Sequence, residues 1–352
     1  MEVVTSLPAD TPLSLVAERV RRIEGLGFDT VHVSETVRDP FSVCAVATEH
    51  SSTVVIRTSM VVAFARSPMV TACAAWDLAR FSGGRFHLGV ASQVRGNMVG
   101  RYSVEWTEPV ARLRDYVGAV RAIFEVFQSG GGLEYRGSHY TFTRLQPFFN
   151  PGPIDVAAPS IWTGGVNARM CALAGAVADG FVAHPTGSHP RMLAERVLPA
   201  VRAGAAECGR SDGGPRVVVV PKPITGRDEG ALAVAREKAR KELAFLYSTP
   251  AYRGTLDLLG FGHTATALSE AAGDKQWDRL TGLLTDEILD ALVPQGVYAD
   301  LPGVLAEWFG GVCEGIALDP PNDPRDDEEF GAMLARIRTS GGGGVSDDDV
   351  AV

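Results

Sequence analysis

Apolar positions along this chain recur in two alternating patterns. Short runs rich in Val and Ile read as strands: Val3–Leu7, Thr30–Ser34, Val54–Val62, Arg85–Val90, Ser160–Thr163, Gly180–Ala183, Arg216–Val220 and Gly315–Leu318. Between them lie stretches whose apolar residues stand three and four apart, the period of a helix. Ser14–Leu26 carries Leu15, Val16, Val20, Ile23 and Leu26 on one face, and Gly27 ends it. Phe41–Thr48 is entered through Asp39 and Pro40, a capping acid and the proline favoured at the first helical position. Pro68–Phe81, Pro109–Gln128, Ala168–Ala174, Arg191–Ala206 and Glu229–Tyr247 read as further helices.

Strands alternating with helices imply right-handed parallel crossovers. Eight strands in this order favour a closed (β/α)8 TIM barrel, an α/β fold. An open doubly wound sheet is the alternative. It calls for a glycine fingerprint in the first strand-to-helix turn, and that turn reads PADTP. Two segments break the rhythm. GGGLEYRGSHYTF, within 130–149, reads as a hairpin inserted before strand five. Residues 252–293 read as a helical insertion before strand eight, with pieces at Thr264–Ala272 and Asp286–Leu292. From Asp319 the composition turns acidic and rich in Gly and Pro. The barrel is therefore expected over 1–318, and 319–352 is expected to be a largely disordered tail around one short helix, Glu328–Arg338.

The chain has 352 residues, 45% of them hydrophobic, enough for a large core. Its net charge of −9 argues against a nucleic-acid binder. No apolar run is long enough to span a bilayer, and the first residues lack a signal-peptide pattern, so a cytoplasmic location is expected. The five cysteines are scattered and no His or acid cluster has metal-ligand spacing. Neither a disulfide frame nor a metal is expected.

In a barrel the chemistry belongs at the C-terminal ends of the strands. In GGRFHLGVASQVRGN the fourth strand runs out into Ala91, Ser92 and Gln93, followed by Arg95, which reads as a tip facing the mouth. TGGVN (Thr163–Asn167) precedes a helix. It is either a capped tight turn or an approach for an anionic ligand. His184 and Glu35 are the acid/base candidates by position. His184 equally suits a strand cap, and Glu35 equally suits a partner for an arginine across the mouth. His32 lies mid-strand and reads as a satisfied interior histidine. Arg66, Arg95 and Arg101 add positive charge on one side of the mouth, or are solvated surface arginines.

Taken in order, GLGFDTVHVSET…DPF, TSMVVAFARSPMVTACAAWDLARFSGGRFHLGVASQVRG, RYSVEW…RLRDYVGAVRAIF, YRGSHYTF and AGAVADGFVAHP resemble the luciferase-like flavin monooxygenase superfamily. They look most like its branch of oxidoreductases that use the deazaflavin coenzyme F420. The resemblance covers about residues 1 to 318 and implies a TIM barrel. It implies a non-proline cis peptide at Ser59-Met60, behind the tricyclic ring. Ala91, Ser92 and Gln93 fall where the family contacts the cofactor's ring or side chain. Thr163, Gly164, Gly165 and Val166 fall where backbone amides bind its phosphate. Coenzyme F420 carries a phosphate and an acidic glutamate tail, which gives Arg66, Arg95 and Arg101 a partner. Two positions depart from better-understood F420 enzymes. Thr36 stands where some have a histidine, and Val94 stands near the place of a glutamate acid. The implied activity is hydride exchange between F420 and a small organic substrate at the mouth. An FMN-dependent two-component monooxygenase is the first alternative. A non-catalytic barrel that binds a flavin or a partner protein is the second. The resemblance also implies a homodimer.

Overall fold

Each apolar run forms a strand, and each strand pairs in parallel with its neighbours until the sheet closes on itself. The computed structural model describes residues 1–210 and 213–340. The strands are β1 (Glu2–Ser6), β2 (Thr30–Val33), β3 (Val55–Thr58, resumed at Val61–Val62), β4 (Phe86–Ala91), β5 (Ile161–Gly165), β6 (Gly180–Ala183), β7 (Arg216–Val219) and β8 (Gly315–Ala317). β1 pairs with both β2 and β8, and β3 with β4, so the ring is complete. This is the TIM barrel that the alternation implies.

The barrel helices are α1 (Leu13–Leu26), α2 (Pro40–Glu49), α3 (Pro68–Phe81), α4 (Pro109–Ser129), α5 (Ala168–Val177), α6 (Leu198–Glu207), α7 (Leu301–Phe309) and α8 (Asp327–Ser340). Their ends follow local chemistry. Asp39 caps α2 by accepting the Ser42 N–H at 2.9 Å, with Pro40 beside it. Gly27 closes α1 at φ +91°, a conformation that favours glycine. α6 is entered through a π-helical turn, Leu193–Val197.

Two cores result. An outer one lies between strands and helices. The inner one holds Val4, Trp162, Val182, Val218 and Ala317, with Met60 packed against it. Beneath it the lumen is polar. Arg57 is fully buried, lies 3.5 Å over the Trp162 ring, and donates to Glu2 at 2.9 Å and His32 Nε2 at 3.2 Å.

Three boundaries differ from the sequence reading. The long run Val54–Val62 is not one strand: the ladder breaks at Ser59-Met60, whose peptide bond is cis. The insertion before β8 begins earlier than residue 252. A short parallel pair, Ile224–Gly226 with Gln295–Val297, frames it, and the Glu229–Tyr247 helix contributes Leu243, Ala244 and Tyr247 to a separate small core with Leu268 and Leu289. The barrel helix before β8 is α7 instead.

The third difference is at the C-terminus. The segment from Asp319 to residue 340 does not stand apart from the barrel. α8 buries Phe330, Met333, Leu334 and Ile337 in the outer core, and Arg22 and Asp29 of the α1 region pair with its Asp327 and Arg338. It is the eighth barrel helix. Apolar residues at four helical-period positions outweigh the acidic composition around them. The rest of the tail, 341–352, lies outside the described residues. The inserted hairpin is as expected: Tyr135–Arg136 pairs antiparallel with Thr141–Phe142. Asp115 of α4 holds it, accepting the Tyr135 hydroxyl at 2.5 Å and the N–H groups of His139 and Tyr140 at 2.6 and 2.9 Å. No helix among the described residues is long and apolar enough to cross a membrane.

Candidate functional site

The strand tips open onto one cavity of about 1090 Å³ at the C-terminal mouth of the barrel. Glu35, Ser59, Met60, Ala91, Ser92, Gln93, Arg95, Gly164, Gly165, Val166 and His184 all line it. Thr163 does not. It sits one residue below on β5, is 2% exposed, and its hydroxyl has no partner.

The β3 break is pinned from both sides. The Ser59 N–H donates to the Val33 carbonyl at 2.7 Å, and the Val62 N–H donates to Glu35 at 2.7 Å. Glu35 is therefore a clamp. Both of its oxygens also lie 2.7 Å from Arg66, which in turn reaches Asp39 at 2.9 Å. Both carboxylate oxygens are thus committed to the Arg66 guanidinium, and one also to the Val62 backbone N–H. Of the two roles open to Glu35, the geometry favours the ion pair. Arg101 donates to the Thr36 carbonyl and lies 5.1 Å from the Tyr102 ring, so neither it nor Arg66 reaches the mouth. Arg95 does line it.

Gln93 explains how β4 ends. Its φ is +62°, and its side-chain oxygen accepts the N–H of Val94 at 2.9 Å. This turns the chain sharply at the rim. Lys222, after β7, has φ +53° and also lines the mouth, with its ammonium 3.0 Å from Asp319. Backbone in the left-handed region at two non-glycine tips is what functional rims often show. Opposite them, Asn167 caps α5 by accepting the Met170 N–H at 3.0 Å. Gly165 is required by packing here, since a Cβ would come within 2.9 Å of the Met170 Cβ.

His184 both caps a turn and faces the mouth. The Thr186 N–H donates to its Nδ1 at 3.3 Å, and the Thr186 hydroxyl lies 2.8 Å from the same nitrogen. A ring nitrogen that accepts a backbone N–H is unprotonated, so the network assigns the neutral ring's proton to Nε2. Burial pushes the pKa of His184 down to about 4. At neutral pH it is a neutral hydrogen-bond donor beside the Tyr252 ring, 4.5 Å away.

Several lining residues carried no signal in the sequence. His32 read as interior, yet it forms part of the cavity floor. Its Nε2 faces Arg57, and burial with the Arg57 charge keeps its pKa well below the usual value. Tyr252 comes from the insertion, Trp106 from the β4–α4 connection and Arg169 from the first turn of α5. Only the closing of the barrel brings these distant segments to one rim.

The family model described as luciferase-like monooxygenase matches residues 1–300. An uncharacterized protein of Mycobacterium tuberculosis is 36% identical over 304 residues, covering 86% of this chain and 89% of that one. The 5,10-methylenetetrahydromethanopterin reductase of Archaeoglobus fulgidus is 26% identical over 308 residues, covering 86% of this chain and 88% of its own. Among solved structures, the coenzyme F420-dependent tetrahydromethanopterin reductase of Methanopyrus kandleri superposes with a TM-score of 0.76. It is 18% identical and covers 96% of this chain and 98% of that one.

Proposed function

Because the chain belongs to the luciferase-like monooxygenase family, we propose that its barrel mouth binds coenzyme F420 and exchanges a hydride between that cofactor and a small organic substrate. The observation that carries this reading is the charge of the mouth. Among the described residues, Arg95 and Arg169 line it without an acid partner, whereas Lys222 is paired with Asp319, and Glu35, the acid lining it, is neutralised by Arg66. In a chain of net charge −9, that local excess draws an anionic ligand. The likeness to a reductase described as F420-dependent supports the same reading.

The residues present fit such a ligand. Ala91, Gly164, Val182 and Val220 give small apolar walls against which a planar ring can lie. The first turn of α5 opens onto the mouth beside Asn167, where backbone N–H groups suit a phosphate. Bound F420 supplies a hydride acceptor or donor at its C5 carbon. The chain's own contribution is position, exclusion of water and one hydrogen bond. Trp106 and Tyr252 wall the site from solvent. His184 presents Nε2–H to the substrate oxygen or nitrogen at which charge develops. Glu35 holds the β3 break that forms one wall.

Paired binding titrations with oxidised F420 and with FMN, each at two salt concentrations, test the proposal. Tight F420 binding that salt weakens, with none for FMN, is expected. FMN binding alone overturns it in favour of a two-component monooxygenase. Binding of neither overturns both and leaves a barrel without a flavin-type cofactor.

A further inference from the structure

A second cavity, about 1100 Å³, lies on the outside of the barrel between α4 and α5. It is not separate from the mouth. Pro109, Val110 and Arg169 line both, so the two join at the rim where α4 and α5 begin. From there the groove runs down α4 past Arg114 to Arg121, with Arg210 on its far side and the Tyr135 hairpin as a wall. Residues 108 to 121 of a helix span roughly 20 Å, room for about five extended residues.

The charges in the groove are unequally committed. Asp115 is buried and its oxygens are taken by Tyr135, His139 and Tyr140. Asp179 accepts from the Ile161 N–H at 2.7 Å and from Arg121 at 2.8 Å. Glu108 is exposed at the rim, 3.7 Å from His139. Two arginines are left facing the groove without an acid. Arg114 has a weak contact at 3.7 Å with the Cys208 sulfur. Arg169 has no ion-pair or hydrogen-bond partner among the described residues. Both are exposed. A long, narrow, open channel with unpaired guanidinium groups, leading out of a positively charged mouth, suits a flexible polyanionic chain rather than a compact anion.

We infer that this groove receives the acidic oligoglutamate tail of the cofactor, with Arg169 at its entrance and Arg114 one turn further along α4. The inference rests on the reading of the mouth as an F420 site. It makes tail length, and not the redox-active ring, the quantity that these two arginines sense. Carboxylates held here are exposed and salt-screened, so each contact adds little and the sum is modest.

The test uses two forms of F420, one with the phosphate but no glutamates and one with a long oligoglutamate tail. Each is titrated by fluorescence, at low and high salt, against the intact chain, the R114Q/R169Q variant and R196Q. Arg196 lines a smaller pocket of about 430 Å³ on the other side of the start of α5 and offers the competing path. Unchanged circular dichroism and melting temperature serve as the folding control. The inference expects the long-tailed form to bind roughly fivefold tighter at low salt. R114Q/R169Q and high salt should abolish that preference, while R196Q keeps it. The tail-less form, whose phosphate the mouth cation Arg169 also attracts, weakens only about two- to threefold in R114Q/R169Q and at high salt and is unchanged in R196Q. Equal binding of both forms to the intact chain overturns the groove assignment and leaves the mouth reading intact. A preference that survives R114Q/R169Q but is lost in R196Q overturns it too and moves the tail to the other path. Binding of neither form overturns the mouth reading itself.

Discussion

Replacing Glu2 by Gln removes the charge that balances a cation inside the barrel. Arg57 has 1% of its side chain exposed and Glu2 10%, and they meet at 2.9 Å. Glu2 also accepts the Thr30 hydroxyl at 2.5 Å and Arg216 at 3.0 Å. Burial lowers the Arg57 pKa to about 10, with Glu2 opposing the shift, so the guanidinium is charged at neutral pH. In the Glu2→Gln variant it keeps the Trp162 face and His32 but no anion. Breaking a buried pair by removing one partner costs roughly 3–5 kcal/mol. A chain of this size has an unfolding entropy of about 0.7 kcal/mol per kelvin, so the melting temperature falls by roughly 4–7 °C. Calorimetry at pH 7 reads this directly. The double variant Glu2→Gln with Arg57→Met removes the orphaned charge as well. It should lose less than Glu2→Gln alone. A single variant within about 1 °C of the parent, or a double variant worse than the single one, refutes the reasoning.

Other consequences are open to measurement. His184→Ala removes the Nε2–H donor, so turnover should fall by roughly a hundredfold while the Kd for F420 moves less than about threefold; stopped-flow and titration separate the two, and equal losses in both contradict the role. Glu35→Gln releases Arg66 and weakens the hold on Val62, and should cost roughly 2–3 kcal/mol of stability in urea unfolding. His32 is buried and His87 and His184 are half-buried, and desolvation depresses the pKa of all three, to about 4 for His87 and His184. The unfolded chain therefore takes up protons near pH 6.5 that the folded one refuses until about pH 4. Stability is full above about pH 6.5 and drains as the pH falls through that window, by up to roughly 3 kcal/mol for each of His87 and His184, with His32 acting in the same direction. A melting temperature flat from pH 7 to 4.5 is incompatible with those burial effects. Phe330→Ala opens a cavity under α8 and should cost roughly 3–5 kcal/mol; no loss of stability would return α8 to the status of a dispensable tail.

The fold was legible because a TIM barrel announces itself by alternation, and the β and α periods of this chain are clean. What escaped was context. The apolar stripe Phe330, Met333, Leu334 and Ile337 is visible in the sequence, but acidic neighbours and nearby Gly and Pro made the segment read as tail. The Glu229–Tyr247 helix has the period of a barrel helix, and nothing local says that it packs on an insertion instead. The break in β3 is invisible to a hydrophobicity pattern, since Val, Ile and Met continue through it. Only the resemblance pointed to Ser59-Met60. At the mouth, the barrel dictates where the strand tips go, and the tips named from the sequence line the cavity, except Thr163. The pairing of Glu35 with Arg66 was one of two open readings, and distance decided it. His32 and Arg169 depend on which way a side chain leaves its element, which a single sequence does not state.

Hydrogen–deuterium exchange on the full chain, with and without oxidised F420, tests the central claim most directly, because it locates the ligand without needing a substrate. The account predicts slowed exchange in three separated segments at once: around Ser59–Val62, Ala91–Arg95 and Gly164–Arg169. Exchange unchanged in those segments at saturating F420, or protection confined to another face of the barrel, would contradict it.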